Sequence, residues 1–335
     1  MNFKLIPCLT FNLIKMKKNI TQPQIKEILE KGVEQIIDKK SLIKKLISGK
    51  KLRIKLGIDP TLPILHLGNT IPLWKLRRFQ DAGHQIVVII GDFTARIGDP
   101  SDKTAMRQPL TRAQVEENMK DYKKQIGKIL NVKKTKFVYN NTWLSKLSFW
   151  EILSLADCFT VGQMLERENF NKRYKENKLI GLHEFLYPLI QGYDSVAVQA
   201  DVEIGGTDQT FNLLAGRVIQ KKYGQKPQDI ITLTLIEGTD GRKMSKSFGN
   251  IIAITDKPVD IFKKIMTMDD QLVIKYFHLC TPLLIKEINE IKKDNPNPYW
   301  AKSKLAEEIV SLYYGKEKAK TTREEFNKDF RKSKK

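Results

Sequence analysis

Lys243-Met244-Ser245-Lys246-Ser247 follows the apolar run 230–236 and the turn-rich string Glu237-Gly238-Thr239-Asp240-Gly241-Arg242. Two lysines three apart, spaced by small hydroxyl residues and preceded by glycines, suit a loop that closes over phosphates. The ammonium groups supply point charge, and the serine hydroxyls and loop amides supply donors. A solvated basic loop is the plainer reading of such a cluster. His66 lies far upstream, just before a helix that begins near Gly68, where backbone N–H groups point outward and favour phosphate. Its imidazole can donate to a phosphate oxygen, and Gly68 lets the backbone approach a nucleotide closely. His84, His183 and His278 lack such surroundings and read as ordinary surface or core residues.

Three further groups are chemically suggestive. Gly205-Gly206-Thr207-Asp208-Gln209 joins a strand to a helix, and an acidic side chain there can hold a ribose hydroxyl. A plain strand-to-helix turn explains that string equally well. Tyr187, Gln191 and Asp194 are spaced by four and three, so on a helix they share one face. Amid Leu186, Leu189, Ile190 and Val196, a polar stripe is costly to bury unless it finds partners, which points to a polar pocket. Ile97-Gly98-Asp99-Pro100-Ser101, with Lys103 and Arg107 beyond it, follows an apolar strand; a polar turn would account for the first five residues.

The elements that must position these groups read as an α/β fold. Ile25, Ile28, Leu29, Val33, Ile36 and Ile37 recur at helical spacing, which predicts one helix over 21–47, stopped by Ser48-Gly49. Residues 52–58 alternate with a period of two and predict a strand. Pro60 and Pro63 open a loop, a helix runs from Gly68 through Phe79, and Gly83 closes it at a left-handed cap. Residues 85–91 are almost wholly apolar, as in a parallel sheet covered on both faces. Strand, loop, helix and strand in this order make the first half of a nucleotide-binding α/β fold.

A charged helix over 111–130, a short strand over 136–139 and a helix over 160–170 suggest a mainly helical insertion at about 109–185. The core then resumes with a helix over 182–198, a strand over 202–204, a helix after Gly206 and a last strand over 230–236. Beyond Asp256 the pattern is helical, with Pro258 in a first turn, a break at Asn295-Pro296-Asn297-Pro298, a helix over 299–314, and Thr322 and Glu325 capping a final short helix. Three regions result: an N-terminal extension and helix (1–50), a catalytic α/β domain (51–255) and a helical domain (256–335).

With 59 Lys and Arg against 38 Asp and Glu, the 335-residue chain carries a formal charge of +21, which favours a polyanionic partner such as nucleic acid. A Lys-rich, Ile-rich composition from an AT-rich genome also raises the charge. Three cysteines, Cys8, Cys158 and Cys280, have no partner at metal-ligand spacing and suggest reduced thiols in a cytosol-like compartment. No apolar run reaches membrane-spanning length. Residues 5–14 faintly resemble a targeting segment but are interrupted by Thr10 and Asn12, so an N-terminal extension, or a start at Met16, is expected instead.

The lysine loop, taken with Gly57-Ile58-Asp59-Pro60-Thr61 running into His66-Leu67-Gly68-Asn69, resembles the ATP-binding signatures of class I aminoacyl-tRNA synthetases. The sequence between them resembles the tyrosine-specific member, and the resemblance covers about residues 17–330. It implies a Rossmann-like parallel sheet with a helical insertion, followed by an all-helical tRNA-binding domain. The implied reaction has two steps: the carboxylate of L-tyrosine attacks the α-phosphate of Mg2+-bound ATP to give tyrosyl-adenylate and pyrophosphate, and the terminal ribose of tRNA(Tyr) then takes the tyrosyl group. The implied catalytic set is His66, Asn69, Lys243 and Lys246. The ATP contacts would be Asp59, Thr61, Gly68, Lys103, Arg107, Asp208 and Lys246. Asp99, Tyr187, Gln191 and Gln209 would hold the amino acid, with Asp194 accepting from the phenol.

The chain departs from the family pattern at two of these positions. Asn69 stands where the commonest form has a second histidine; it still donates, so a re-tuned contact with ATP is expected. Lys55 stands where a well-known branch places a second tyrosine against the phenol, which puts Lys55 in the expected tyrosine-binding set. The resemblance further implies a cytoplasmic homodimer joined through the insertion, with no protein-bound metal. Bacterial members usually continue into a small ribosomal-protein-like RNA-binding module; Lys335 falls about where it would begin, so a form lacking it is expected. Two other readings compete. Asp194 and its stripe disfavour the related tryptophan enzyme, and the lysine loop with Asp99 disfavours a catalytically silent RNA-binding relative.

Overall fold

The N-terminal segment folds as helix, strand and helix rather than as the single helix its periodicity predicts. Thr21 caps a helix at Gln22–Glu30 through a reciprocal pair with Gln24. Gly32 then takes a left-handed φ of 66°, and a Cβ there would meet Leu279 Cδ2 at 2.9 Å. The β-branched run that follows becomes a strand, Val33–Ile37. Asp38, also left-handed, turns the chain into a second helix, Lys39–Ile47, by accepting from Ser41 N. The computed structural model describes residues 20–101, 109–244, 248–294 and 297–332. Lys103, Arg107, Lys246 and the expectations for residues 1–19 lie outside these.

Among the described residues, six strands form one sheet: β1 (Val33–Ile37), β2 (Arg53–Ile58), β3 (Gln85–Ile90), β4 (Thr135–Tyr139), β5 (Val202–Gly206) and β6 (Asp229–Leu233). Their spatial order is β1-β6-β5-β2-β3-β4, parallel throughout except for β1, which runs antiparallel to β6. From β2 the chain winds outward through β3 to β4; it then returns to β5 on the other side of β2. The carboxyl ends of β2 and β5 therefore flank a topological switch point, where open α/β sheets place their ligand crevice. The strand within the expected insertion is part of this sheet, paired along its length with β3.

Two helices face each other closely beside the crevice. A Cβ at Gly192, in the helix Leu182–Val198, would meet Ile219 Cδ1 at 2.7 Å and the backbone of Ala215 at 3.2 Å, both in the helix Thr210–Lys222. Elsewhere several expected helices are shorter. The 111–130 stretch splits into Arg112–Met119 and Tyr122–Ile126, and the 160–170 stretch into Val161–Leu165 and Glu168–Lys175.

The C-terminal region is helical: Pro258–Met266, Val273–Cys280, Ile285–Asp294, Pro298–Tyr314 and Lys316–Lys332. Its last helix is long, and Thr322 lies inside it rather than at its cap; its hydroxyl donates to Lys318 O at 2.7 Å. Tyr276, Phe277, Leu305 and Ile309 belong to the same buried cluster as Ile54, Leu76 and Phe79, so the helical region and the sheet share one continuous core.

Candidate active site

A crevice of about 810 Å³ opens at the switch point, within the range of small-ligand sites. On one flank is the start of the helix Leu67–Asp81. His66 caps it, and Asn69 Oδ1 accepts from His66 N at 3.0 Å, so the residue that replaces the commoner histidine orders the helix entrance. A Cβ on Gly68 would lie 3.0 Å from the His66 ring and 3.1 Å from Met244 Sδ. Glycine is thus what lets the imidazole and Met244 of the lysine loop converge at the start of the helix. Burial holds the imidazole neutral by lowering its pKa to about 4, and its Nδ1 is buried with no hydrogen-bond partner among the described residues.

The base of the lysine loop is pinned from both sides. Asn250 Nδ2 donates to Lys243 O at 3.0 Å and to Asp240 Oδ1 at 2.8 Å. Past the loop, Leu67 N donates to Ile252 O at 2.9 Å, tying the returning chain to the helix start. Lys243 and Met244 line the crevice together with His66, Gly68 and Asn69.

The opposite flank carries the polar stripe of the helix Leu182–Val198. Tyr187 donates its hydroxyl to Asp59 Oδ2 at 2.9 Å, and Thr94 donates to Asp59 Oδ1 at 2.6 Å. Asp59 is partly buried in the crevice wall, and desolvation outweighs these two bonds to push its carboxyl up to about 7; Asp99 and Asp194 add to the rise. Asp99 Oδ2 accepts from Gln209 Nε2 at 2.6 Å, and its Oδ1 from Ser101 N at 2.9 Å. Ser101 is held in turn by Arg167, whose guanidinium lies between the rings of Phe170 and Phe211 at 5.0 and 4.8 Å.

Asp194 closes the far end. Trp143 Nε1 donates to its Oδ1 at 2.8 Å and Asn140 Nδ2 to its Oδ2 at 3.2 Å. Burial raises its carboxyl to about 6, against the pull of Lys55 and the two donors. Asn140 also donates to Thr94 Oγ1 at 3.0 Å, so one hydrogen-bonded chain links Asp194 to Asp59 and Tyr187. Between the two flanks, Asp208 and Gln209 follow β5, with Gly206 leaving room: a Cβ there would meet Asp208 Oδ1 at 2.4 Å.

Of the residues singled out in the sequence, Asp59, Thr61, His66, Gly68, Asn69, Asp99, Tyr187, Gln191, Asp194, Asp208, Gln209 and Lys243 all line this crevice. Lys55 does not. Its fully buried Nζ pairs with Glu203 Oε1 at 2.8 Å and donates to Ser195 Oγ at 2.8 Å and Gln191 O at 3.1 Å. A buried ammonium needs a carboxylate, and β5 supplies one directly beside it. None of the sequence patterns marks Asn140, Trp143, Thr94, Arg167 or Asn212, whose Nδ2 donates to Asp99 Oδ1 at 3.4 Å. A signal existed for the first two: they follow β4, at the carboxyl end of a strand where such sheets hold their ligands.

A mostly parallel sheet with a switch-point crevice, and a glycine-backed histidine at a helix start beside Lys243, form an arrangement that suits a nucleotide. Residues 48–331 match the family described as tRNA synthetases class I (W and Y). The chain is 50% identical over 314 residues to the tyrosine–tRNA ligase of Carboxydothermus hydrogenoformans, covering 91% of this chain and 76% of that one. It is 49% identical over 316 residues to that of Thermotoga maritima, covering 93% and 79%. At 22% identity the fold matches a C-terminally truncated Aspergillus nidulans mitochondrial tyrosyl-tRNA synthetase, with a TM-score of 0.75 over 92% of this chain and 94% of that one. The chain belongs to the class I tRNA synthetases of the tryptophan and tyrosine group and, within it, to the tyrosine–tRNA ligases.

Proposed function

We infer that this crevice activates L-tyrosine with ATP as tyrosyl-adenylate and passes the tyrosyl group to tRNA(Tyr), with the work divided between its two flanks. The observation that carries this reading is the convergence of the phosphate-type groups (His66, Gly68, Asn69, Lys243) and the polar stripe (Tyr187, Gln191, Asp194) on one cavity. Asp99, Tyr187, Gln191 and Gln209 take the ammonium of tyrosine, and Asp194 takes its phenol O–H. Asp208 takes the ribose, with Asp59 and Thr61 on the adenosine side. No protein nucleophile is required: the tyrosine carboxylate attacks the α-phosphate and pyrophosphate leaves, and the terminal ribose hydroxyl of the tRNA then takes the tyrosyl group from the adenylate as AMP leaves. The protein aligns the two and stabilises charge on the phosphates through His66, the Asn69-ordered helix start, Lys243 and Lys246. Lys103 and Arg107 are assigned to the ATP phosphates by the family pattern alone. ATP would enter as its magnesium complex, with the ion part of the substrate.

We propose that the enzyme acts in the cytoplasm as a homodimer. Phe149 and Trp150 are 75% and 78% exposed, and Leu153, Val161, Leu179 and Leu182 are exposed near them in sequence. Large apolar side chains so concentrated in one region support a protein–protein interface there. Among the described residues, no helix is long and apolar enough to cross a membrane.

Pyrophosphate exchange into ATP with tyrosine, with tryptophan and with no amino acid tests the assignment. Exchange should depend on tyrosine; equal exchange with tryptophan, or none with either, contradicts it.

A further inference from the structure

Behind Asp194 lies a buried polar cluster that the two-step reaction leaves without a role. Lys55 on β2 and Glu203 on β5 are 0% and 1% exposed. Ser195 bridges them, accepting from Lys55 and donating to Glu203 Oε2 at 3.0 Å, and Gln228 Nε2 donates to the same oxygen. A Cβ at Gly216 would meet Gln228 Nε2 at 2.6 Å and Ser195 Oγ at 3.1 Å, so the helix Thr210–Lys222 closes over the cluster without a side chain between. Glu203 also lines the crevice.

The charged and titratable groups that face Asp194 are Lys55 from β2, Glu203 from β5, Asp59 from the turn after β2 and Tyr187 from its own helix. Asn140 and Trp143 approach from the segment after β4 as donors. Lys55 favours the Asp194 carboxylate and Glu203 opposes it. An ionised carboxylate only accepts, and with one protein donor on each oxygen it keeps capacity for a third. A protonated carboxyl can also donate, and then a bare ring is no longer set apart by leaving an acceptor unmet.

We propose that Lys55 is a positioning residue for amino-acid specificity: paired with Glu203 behind Asp194, it sets the local charge so that Asp194 meets the phenol as an acceptor only. This rests on the reading of Asp194 as the phenol's partner. Lys55 thereby reaches the substrate through Asp194 and never touches it.

The test is the ratio of kcat/KM for tyrosine to that for phenylalanine, measured by pyrophosphate exchange across a pH series. The titration of ATP and pyrophosphate cancels in the ratio. In the wild type the ratio should fall as pH drops through about 6. Lys55→Met should move that midpoint up by about one unit or more. Glu203→Gln should move it down, and the double variant should return it towards wild type. A merely structural pair would lower stability in both single variants without moving their midpoints in opposite directions. Midpoints that stay put, or move the same way, overturn the proposal. If Lys55→Met does not fold, Glu203→Gln decides alone, since an unmoved or raised midpoint contradicts the assignment. Asp194→Ala, which leaves no side-chain acceptor, separates the two levels. Retained discrimination in that variant removes Asp194 from the phenol site, whereas lost discrimination with unmoved Lys55 and Glu203 midpoints removes only the role given to Lys55.

Discussion

Asp59 carries its chemistry through burial. Its carboxyl, on the crevice wall, is held by Tyr187 and Thr94 and crowded on one side by Gly91, whose Cβ, if present, would lie 1.9 Å from Oδ1. Desolvation lifts it from the ordinary 3.8 of an aspartate to about 7. An acid raised on folding adds stability that is fully present below its unfolded value and lost as pH rises through the folded one. Asp59→Asn does not titrate, so between about pH 5 and about pH 8 the variant should gain about 1–3 kcal/mol relative to wild type in urea denaturation of the ligand-free protein. Two stability curves that stay parallel across that range contradict the burial of this carboxyl. At this scale much of the site was legible. The four-and-three spacing of Tyr187, Gln191 and Asp194 placed them on one face, and all three line the crevice. The donors to Asp194 were not legible, because Asn140 and Trp143 lie some fifty residues away and only the pairing of β4 with β3 brings them there. Lys55 was misplaced for a related reason: its partner Glu203 sits on a strand adjacent in space and distant in sequence.

At the scale of elements, the base of the lysine loop, Lys243 and Met244, meets the helix start where Gly68 leaves room for it. If the loop acts on charge that develops at the phosphates, its lysines matter to the reaction more than to tyrosine binding. Lys243→Ala and Lys246→Ala should each lower the rate of adenylate formation about 10²-fold, with the dissociation constant for tyrosine by equilibrium dialysis close to wild type. Loss of tyrosine affinity with the rate constant intact would make the loop a structural part of the amino-acid pocket. Strong patterns were read correctly here: the apolar run of β3 is a buried inner strand, and Gly83 takes the left-handed φ of 87° expected of a helix stop. The 21–47 stretch misled because Val33, Ile36 and Ile37 satisfy a helical period and a strand alike. What decides between them is tertiary: the edge of β6 offers β1 a partner, and Gly32 and Asp38 supply the left-handed corners on either side.

For the whole molecule, the formal charge of +21 separates the two reaction steps. Phosphate contacts release counterions from nucleic acid, so tRNA charging should fall steeply between low and physiological salt, while adenylate formation changes little. Parallel, shallow declines of both activities would make the surplus charge incidental to tRNA binding. The exposed Phe149 and Trp150 belong to the same scale. Trp150→Asp should shift sedimentation from dimer towards monomer at micromolar protein, and an unchanged sedimentation coefficient would place the interface elsewhere.

The claim on which the rest depends is that one crevice makes an activated tyrosine and hands it on. Protein incubated with labelled tyrosine and ATP, separated from free substrates and then mixed with tRNA(Tyr), tests it directly. Label should stay with the protein as tyrosyl-adenylate and move to the tRNA without further ATP. Label that is absent from the protein, or bound but not transferred, contradicts it.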